Sequence, residues 1–296
     1  MKTARPKGFR RARILAACLA FALGLDAQPT LAQQAPARVM SLNVCTDQLA
    51  MLLARPGQLV SVSELAADPQ LAFLHSLAEG LPKNRGLAEE VFVAKPDLVV
   101  TGTYSLHNTT ALLKRLGFRV EEFAYAQTLD SIPGEIRRMA TLLGSEAEGE
   151  KIAATFERGV KEAGQDACGP APTAIAYDQN GIAMGAGTLV DSAMRATGLR
   201  NLAAELGYAG MTPMPLELLV EHRPDIVVVS EPLADAPALA DMILRHPALR
   251  ALEGRSLQIT LPRASASCGG PFVVEAVKAL AAARRKLASC PADISQ

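Results

Sequence analysis

Two segments of this 296-residue chain carry the same pattern, and no other feature limits its fold as much. Residues 89–95 read EEVFVAK, followed by Pro96-Asp97 and the apolar run LVVTG. Residues 217–223 read ELLVEHR, followed by Pro224-Asp225 and IVVVS. In each, a glutamate stands six residues ahead of a basic residue, Pro-Asp follows, and a β-branched run closes the unit. Proline disfavours helical geometry at the residue before it, and such a run suits a strand buried on both faces. Each unit therefore reads as helix, turn and parallel strand. This is a common local solution in α/β chains; the sharper reading is two similar α/β lobes.

Between the repeats lies SEAEGEKIAATFERGVKEAG, residues 145–164, which the spacing predicts as one helix. Ser145 and Glu148 have capping-box spacing. Ile152, Phe156 and Val160, with Ala153 and Ala163 beside them, form one apolar stripe, while Glu150, Lys151, Glu157, Arg158 and Lys161 take the wet face. A long helix between two α/β halves is the expected joint.

The amino terminus reads as a targeting segment. Lys2, Arg5, Lys7, Arg10, Arg11 and Arg13 precede the apolar run ILAACLAFALGL (residues 14–25) and Thr30-Leu31-Ala32. A basic region, a short apolar core and small residues before a cut describe a secretory signal; a membrane span needs about 20 apolar residues. Cleavage is expected after Ala32, with Ala27 as the alternative. Cys18 in LAAC resembles a lipidation box, but too few apolar residues precede it. The chain has 30 basic and 30 acidic residues; residues 1–32 hold six and one of these, which leaves 24 against 29. No basic footprint for nucleic acid remains.

Four cysteines follow the leader: Cys45, Cys168, Cys268 and Cys290. In an oxidising compartment they can pair in three ways. Cys168 follows the central helix and Cys290 the last one, so a Cys168–Cys290 disulfide is expected. Cys45 and Cys268 fall at loop-to-helix junctions. Inert packing, ligand contact and a cleft-spanning disulfide are their three readings, ranked in that order.

In sequence order, a strand at 38–43 precedes a helix capped by Thr46-Asp47. A strand at 58–63 and a short amphipathic helix over 68–77 come next, then the first repeat unit, a helix over 107–116 ended by Gly117, a strand at 118–123 and a helix over 129–143. After the central helix come a strand at 173–178, the glycine-rich turn MGAG (184–187), a helix over 189–197 and the second repeat unit. A helix over 237–245, a strand at 256–260 and a closing helix over 271–287 complete the order. This alternation predicts parallel sheets in both halves. The expected organisation is a signal peptide (1–32), an N-terminal α/β lobe (33–144), a linker helix (145–166) and a C-terminal α/β lobe (167–296).

Ligands of open parallel sheets bind beyond the carboxyl ends of the strands. The loops there hold Asn43, Cys45, Tyr104, Tyr125, Tyr177, Tyr208, Arg263 and Cys268, the candidate ligand contacts. The tyrosines stand out because the chain has no Trp, four Tyr and eight Phe. Partly exposed loop tyrosines are the plainer reading. His75, His107, His222 and His246 show no zinc-like spacing, so no metal site is expected.

Taken together, the SLNVCTDQL start after a leader, both Glu-to-Pro-Asp units, the capped central helix and GAGTLVDSAMRATGLRNLA (185–203) resemble one family. This is the periplasmic substrate-binding proteins of ABC importers for iron-siderophore complexes and vitamin B12. Each motif alone is weak; their order spans the chain after its leader. The resemblance implies the class III fold, two Rossmann-like lobes joined by one long helix. It also implies docking of one glutamate per lobe onto permease arginines, here Glu89 and Glu217. A glutamate favouring the dipole at its own helix start is the other reading of both. Haem binders of the family carry a tyrosine shortly before the first-lobe glutamate; this chain has Lys83-Asn84-Arg85-Gly86 there, which demotes haem.

The resulting expectation is a monomeric periplasmic receptor, without cofactor or chemistry of its own. It binds an iron-siderophore or cobalamin-type complex in the inter-lobe cleft and delivers it to an ABC permease. The alternatives are an exported thiol redox enzyme, which no Cys-x-x-Cys or nucleophile elbow supports, and a ligand sensor on the same fold.

Overall fold

The computed structural model describes residues 35–104, 106–125, 128–165, 169–231, 242–243, 246–250, 252 and 254–287. The expected signal peptide, Cys168, Cys290 and nearly all of the helix expected over 237–245 lie outside the described residues.

The first lobe runs β1 (Val39–Ser41), α1 (Val44–Leu53), β2 (Leu59–Ser63), β3 (Lys83–Asn84), α2 (Ala88–Ala94), β4 (Leu98–Gly102), α3 (His107–Arg115), β5 (Val120–Phe123) and α4 (Ile132–Leu143). Its five strands lie in the order β3-β2-β1-β4-β5, all parallel. β4, an interior strand between β1 and β5, is fully buried, as its apolar run requires. Then α5 (Glu146–Gln165) crosses to the second lobe. It packs along α4 on one side and against later helices of the second lobe on the other. Its stripe faces inward as the spacing demands: Ala153 and Phe156 are buried, and Ile152, Val160 and Ala163 pack against the same core. The Ser145 hydroxyl turns back to the Ala140 carbonyl (3.5 Å).

The second lobe runs β6 (Thr173–Asp178), β7 (Ile182–Met184), α6 (Leu189–Ala196), β8 (Arg200–Asn201), α7 (Leu202–Glu205), β9 (Met211–Pro213), α8 (Leu216–His222), β10 (Ile226–Ser230), α9 (Pro247–Arg250), β11 (Leu257–Leu261) and α10 (Val273–Leu287). Its order is β11-β10-β6-β7-β9, with β8 also on β6. This sheet is mixed, a correction to the parallel one expected. β10 and β11 run parallel to β6, but β7 is antiparallel to β6 and β9 antiparallel to β7. Only the tight turn Gln179–Gly181, with Asn180 at φ 57°, separates β6 from β7. A link that short makes a hairpin, whereas a parallel pair needs a crossover.

Two local expectations also change. Residues 68–77 form no α-helix; a short 3-10 turn at Glu64–Ala67 precedes them and another at His75–Ala78 overlaps their end. Helix α1 is capped by Asn43, whose side chain accepts from the Cys45 amide at 2.9 Å. Thr46 and Asp47 instead lie inside the first turn, both buried.

The repeat units are alike in three dimensions. Lys95 and Arg223 end their helices in left-handed conformations (φ 45° and 44°), with the proline next. Asp97 then accepts from the amides of Ala37 and Arg38, at 2.9 and 2.8 Å, just ahead of β1. Asp225 accepts from the Thr173 amide and hydroxyl, at 2.7 and 2.8 Å, at the start of β6. Each Pro-Asp thus ties a helix–strand unit to the strand that opens its sheet.

Candidate functional site

The carboxyl ends of β4 and β5 carry Tyr104 and Tyr125 in adjacent loops. Their ring centroids are 6.2 Å apart at 41°, and they are 77% and 39% exposed. Burial, and secondarily Tyr104, raise the Tyr125 hydroxyl above its ordinary pKa. Both rings wall a cavity of about 360 Å³ whose other side belongs to the second lobe, including Met184, Met211, Ser230 and Arg263. Loops at strand ends on facing lobes thus form one inter-lobe cleft.

Arg263 lines this cleft beside Asp178, with guanidinium-to-carboxylate distances of 3.2 and 3.3 Å, and it also donates to the Glu231 carbonyl at 3.2 Å. Both side chains are largely buried, at 17% and 12% exposure. The arginine therefore arrives at the cleft already paired. A smaller cavity of about 180 Å³ shares Tyr104 and Tyr125 and is otherwise lined by Asn43, Leu49, Phe123, Glu135 and Gly269, among others.

Cys45 and Cys268 form a disulfide, with Cα atoms 5.2 Å apart. This was the reading ranked last from sequence; in the paired state neither sulfur is a redox nucleophile, while Cys45 still lines the smaller cavity. Cys45 opens α1 in the first lobe and Cys268 precedes α10 in the second, so the bond ties lobe to lobe. Phe73 and Phe272 stack across the same junction, centroids 5.4 Å apart and 15° from parallel. The Leu129 amide also donates to the Ser192 hydroxyl across it, at 3.1 Å.

Two candidate tyrosines are placed differently from expectation. Tyr177 lies within β6, the strand expected at 173–178, and not in the loop beyond it. It is fully buried, and its hydroxyl donates to the Met214 carbonyl at 2.9 Å, so it backs the cleft without offering a free polar group. Tyr208 packs against the second lobe's own core and lines neither cavity. Its backbone carbonyl would lie 2.3 Å from a Cβ at Gly185, which explains the glycine there. Asn43, Tyr104, Tyr125 and Arg263 do come together.

Sequence reasoning missed Met184, Met211 and Glu135. The methionines sit in three-residue strands with no periodicity to mark them, and Glu135 in the first turn of α4 resembles an ordinary dipole partner. No group of three metal-ligating side chains occurs among the described residues. Among them, no helix is long and apolar enough to cross a membrane. Glu89 on α2 and Glu217 on α8 are both exposed.

The chain resembles several characterised proteins. A cobalamin-binding protein of Halobacterium salinarum is 26% identical over 211 residues, 69% of this chain but 57% of the relative, so the chain spans little more than half of that protein's length. Among solved structures, the apo periplasmic heme-binding protein RhuT from Roseiflexus sp. RS-1 superposes with a TM-score of 0.70 at 24% identity, over 84% of this chain and 98% of that one. The periplasmic vitamin B12 binding protein BtuF of Vibrio cholerae gives 0.67 at 18% identity, over 85% and 97%. Both share the two-lobed fold. The family of periplasmic binding proteins itself matches residues 39–254, through both lobes and the helix between them, and the chain belongs to that family.

Proposed function

We propose that this protein is a periplasmic receptor that captures a corrinoid-type complex in the inter-lobe cleft and delivers it to the permease of an ABC importer. The observation that carries the ligand class is the exposed Tyr104–Tyr125 pair facing Met184 and Met211 across the cleft. Aromatic and thioether groups give broad contact to a flat, weakly charged ligand. A polyanionic ferric siderophore needs spare positive charge. Among the described residues lining the two cavities the cation is Arg263, and Asp178 already faces it. The cobalamin-binding relative agrees with this choice.

Delivery rests on Glu89 and Glu217, one exposed carboxylate per lobe in matching positions of the repeat. On α2 the glutamate is followed on the same face by Phe92 and Val93, 61% and 80% exposed; on α8 the matching positions are Val220 and Glu221. Two carboxylates set apart on separate lobes favour a bivalent, oriented encounter with a basic partner surface. Export by the leader and action as a monomer belong to the same proposal.

Calorimetric titration of the purified protein with cyanocobalamin tests the ligand class, with haemin and a ferric tris-catecholate siderophore as comparators. Saturable one-to-one binding of cyanocobalamin alone is expected. Binding of a comparator without cyanocobalamin would overturn the class.

A further inference from the structure

Met40, Met139, Met194 and Met214 are buried, at 0–3% exposure, as befits a residue that fills gaps in a core. Met51 packs, partly buried, against the main core. Met211 departs from this pattern: it is 54% exposed and lines the larger cavity. Met184 lines the same cavity and is partly exposed. The two are direct partners across the antiparallel pair of β7 and β9. Partners in that register share a face, with Cβ atoms about 4.5–5.5 Å apart. Two thioethers therefore stand side by side on the second-lobe wall of the cleft. Met242, 58% exposed, lines neither cavity.

We propose that Met211, followed by Met184, is an oxidation site through which hydroperoxides weaken ligand capture. The inference rests on the cleft-binding reading and adds the chemistry that turns the cleft off. A thioether sulfur gives a lone pair to the terminal oxygen of a hydroperoxide. The O–O bond breaks, an S–O bond forms, and with hydrogen peroxide the other oxygen leaves as water. Sulfur loses two electrons and the peroxide gains them. The product is a polar, chiral sulfoxide in place of a flexible apolar side chain. The wall opposite Tyr104 and Tyr125 then carries S–O dipoles, which a ligand lying against it must strip of water. A bound ligand in turn covers Met211 and shields it. The sulfurs of Cys45 and Cys268 are paired and offer the oxidant no thiol.

The test treats purified protein with hydrogen peroxide and locates sulfoxides by peptide mass spectrometry. Met211 and Met242 are expected to oxidise first and Met184 next, with the four buried methionines about tenfold slower or more. Saturating cyanocobalamin is expected to slow Met211 but not Met242. Oxidation is expected to weaken cyanocobalamin binding about tenfold, and to do so equally in Met242→Leu. A Met184→Leu, Met211→Leu double variant is compared with itself before and after peroxide, and no fall in its affinity is expected. Met211 reacting as slowly as the buried methionines, unchanged affinity after its oxidation, or an equal fall in the double variant overturns the site. If unoxidised protein does not bind cyanocobalamin while Met211 still reacts ahead of the buried set, the corrinoid reading falls. The affinity comparison then passes to haemin and the ferric tris-catecholate, and the site stands only if binding of one of them falls as stated.

Discussion

Asp47 shows how a single side chain can be misread from its neighbours. With Thr46 it resembles a helix cap, yet the cap is Asn43, and the Asp47 carboxylate turns inward to accept from the Ser63 amide at 3.2 Å and from the Ser63 hydroxyl. Ser63 belongs to another strand, so nothing local announces the contact. Burial is the dominant influence on the group and raises its pKa from 3.8 to about 6, against the lowering effect of its hydrogen bonds. The folded protein then holds this proton more tightly than the unfolded chain. Stability from this group is highest below about pH 4, falls as pH rises through 4 to 6, and above pH 6 is lower by roughly 3 kcal/mol. Asp47→Asn is expected to flatten that slope, as read from denaturation midpoints at pH 4.5 and 7. The cleft residues differ in legibility for a related reason. Tyr104 and Tyr125 were readable as cleft-wall residues because they follow strand ends, whereas the hydroxyl of Tyr177, inside its strand, is held by the Met214 carbonyl, a contact no local pattern announces. Replacing Tyr104 and Tyr125 together by Ala is expected to weaken cyanocobalamin binding about tenfold or more, measured by titration, at about 0.5–1.5 kcal/mol per aromatic contact.

Among elements, the two Pro-Asp units were legible because everything that shapes them is local: the helix stop, the turn and the apolar run fall within a dozen residues. The mixed second sheet was not, since strand direction turned on the shortness of one connection, Gln179–Gly181. The joining helix α5 was legible from its stripe, but its closeness to α4 was hidden. A Cβ at Gly149 would lie 2.2 Å from the Ala140 Cβ, and one at Gly164 would lie 2.5 Å from the Ala196 carbonyl oxygen. Alanine ordinarily favours a helix over glycine by about 1 kcal/mol. Here the overlap, with a short side chain that has no rotamer to yield, outweighs that gain. Gly149→Ala is therefore expected to destabilise by about 1–3 kcal/mol, seen as a lower Tm, with the sign opposite to helix propensity.

At the scale of the whole molecule, one hydrophobic core runs from the β1 region through α5 to α10, and the lobes share it. The Cys45–Cys268 bond and the Phe73–Phe272 stack reinforce the same junction. Such a joint permits slight rocking rather than hinge closure. Scattering profiles with and without ligand are expected to differ little; a large compaction would contradict the rigid joint. Converting both Cys45 and Cys268 to Ser is expected to cost about 2–5 kcal/mol, measured by denaturation of the oxidised parent and the variant.

The same bond also sets an order of events in the life of the chain. Its two cysteines are separated by 223 positions, one near the start of the first lobe and the other just before the last helix. Where the surroundings are oxidising, the bond therefore waits until nearly all of the chain is present there. Before that moment the two halves are held by α5, by their shared packing and by the Leu129–Ser192 hydrogen bond alone. Afterwards they are one covalent ring, so material made in a reducing cytosol is expected to be an immature form of the same protein.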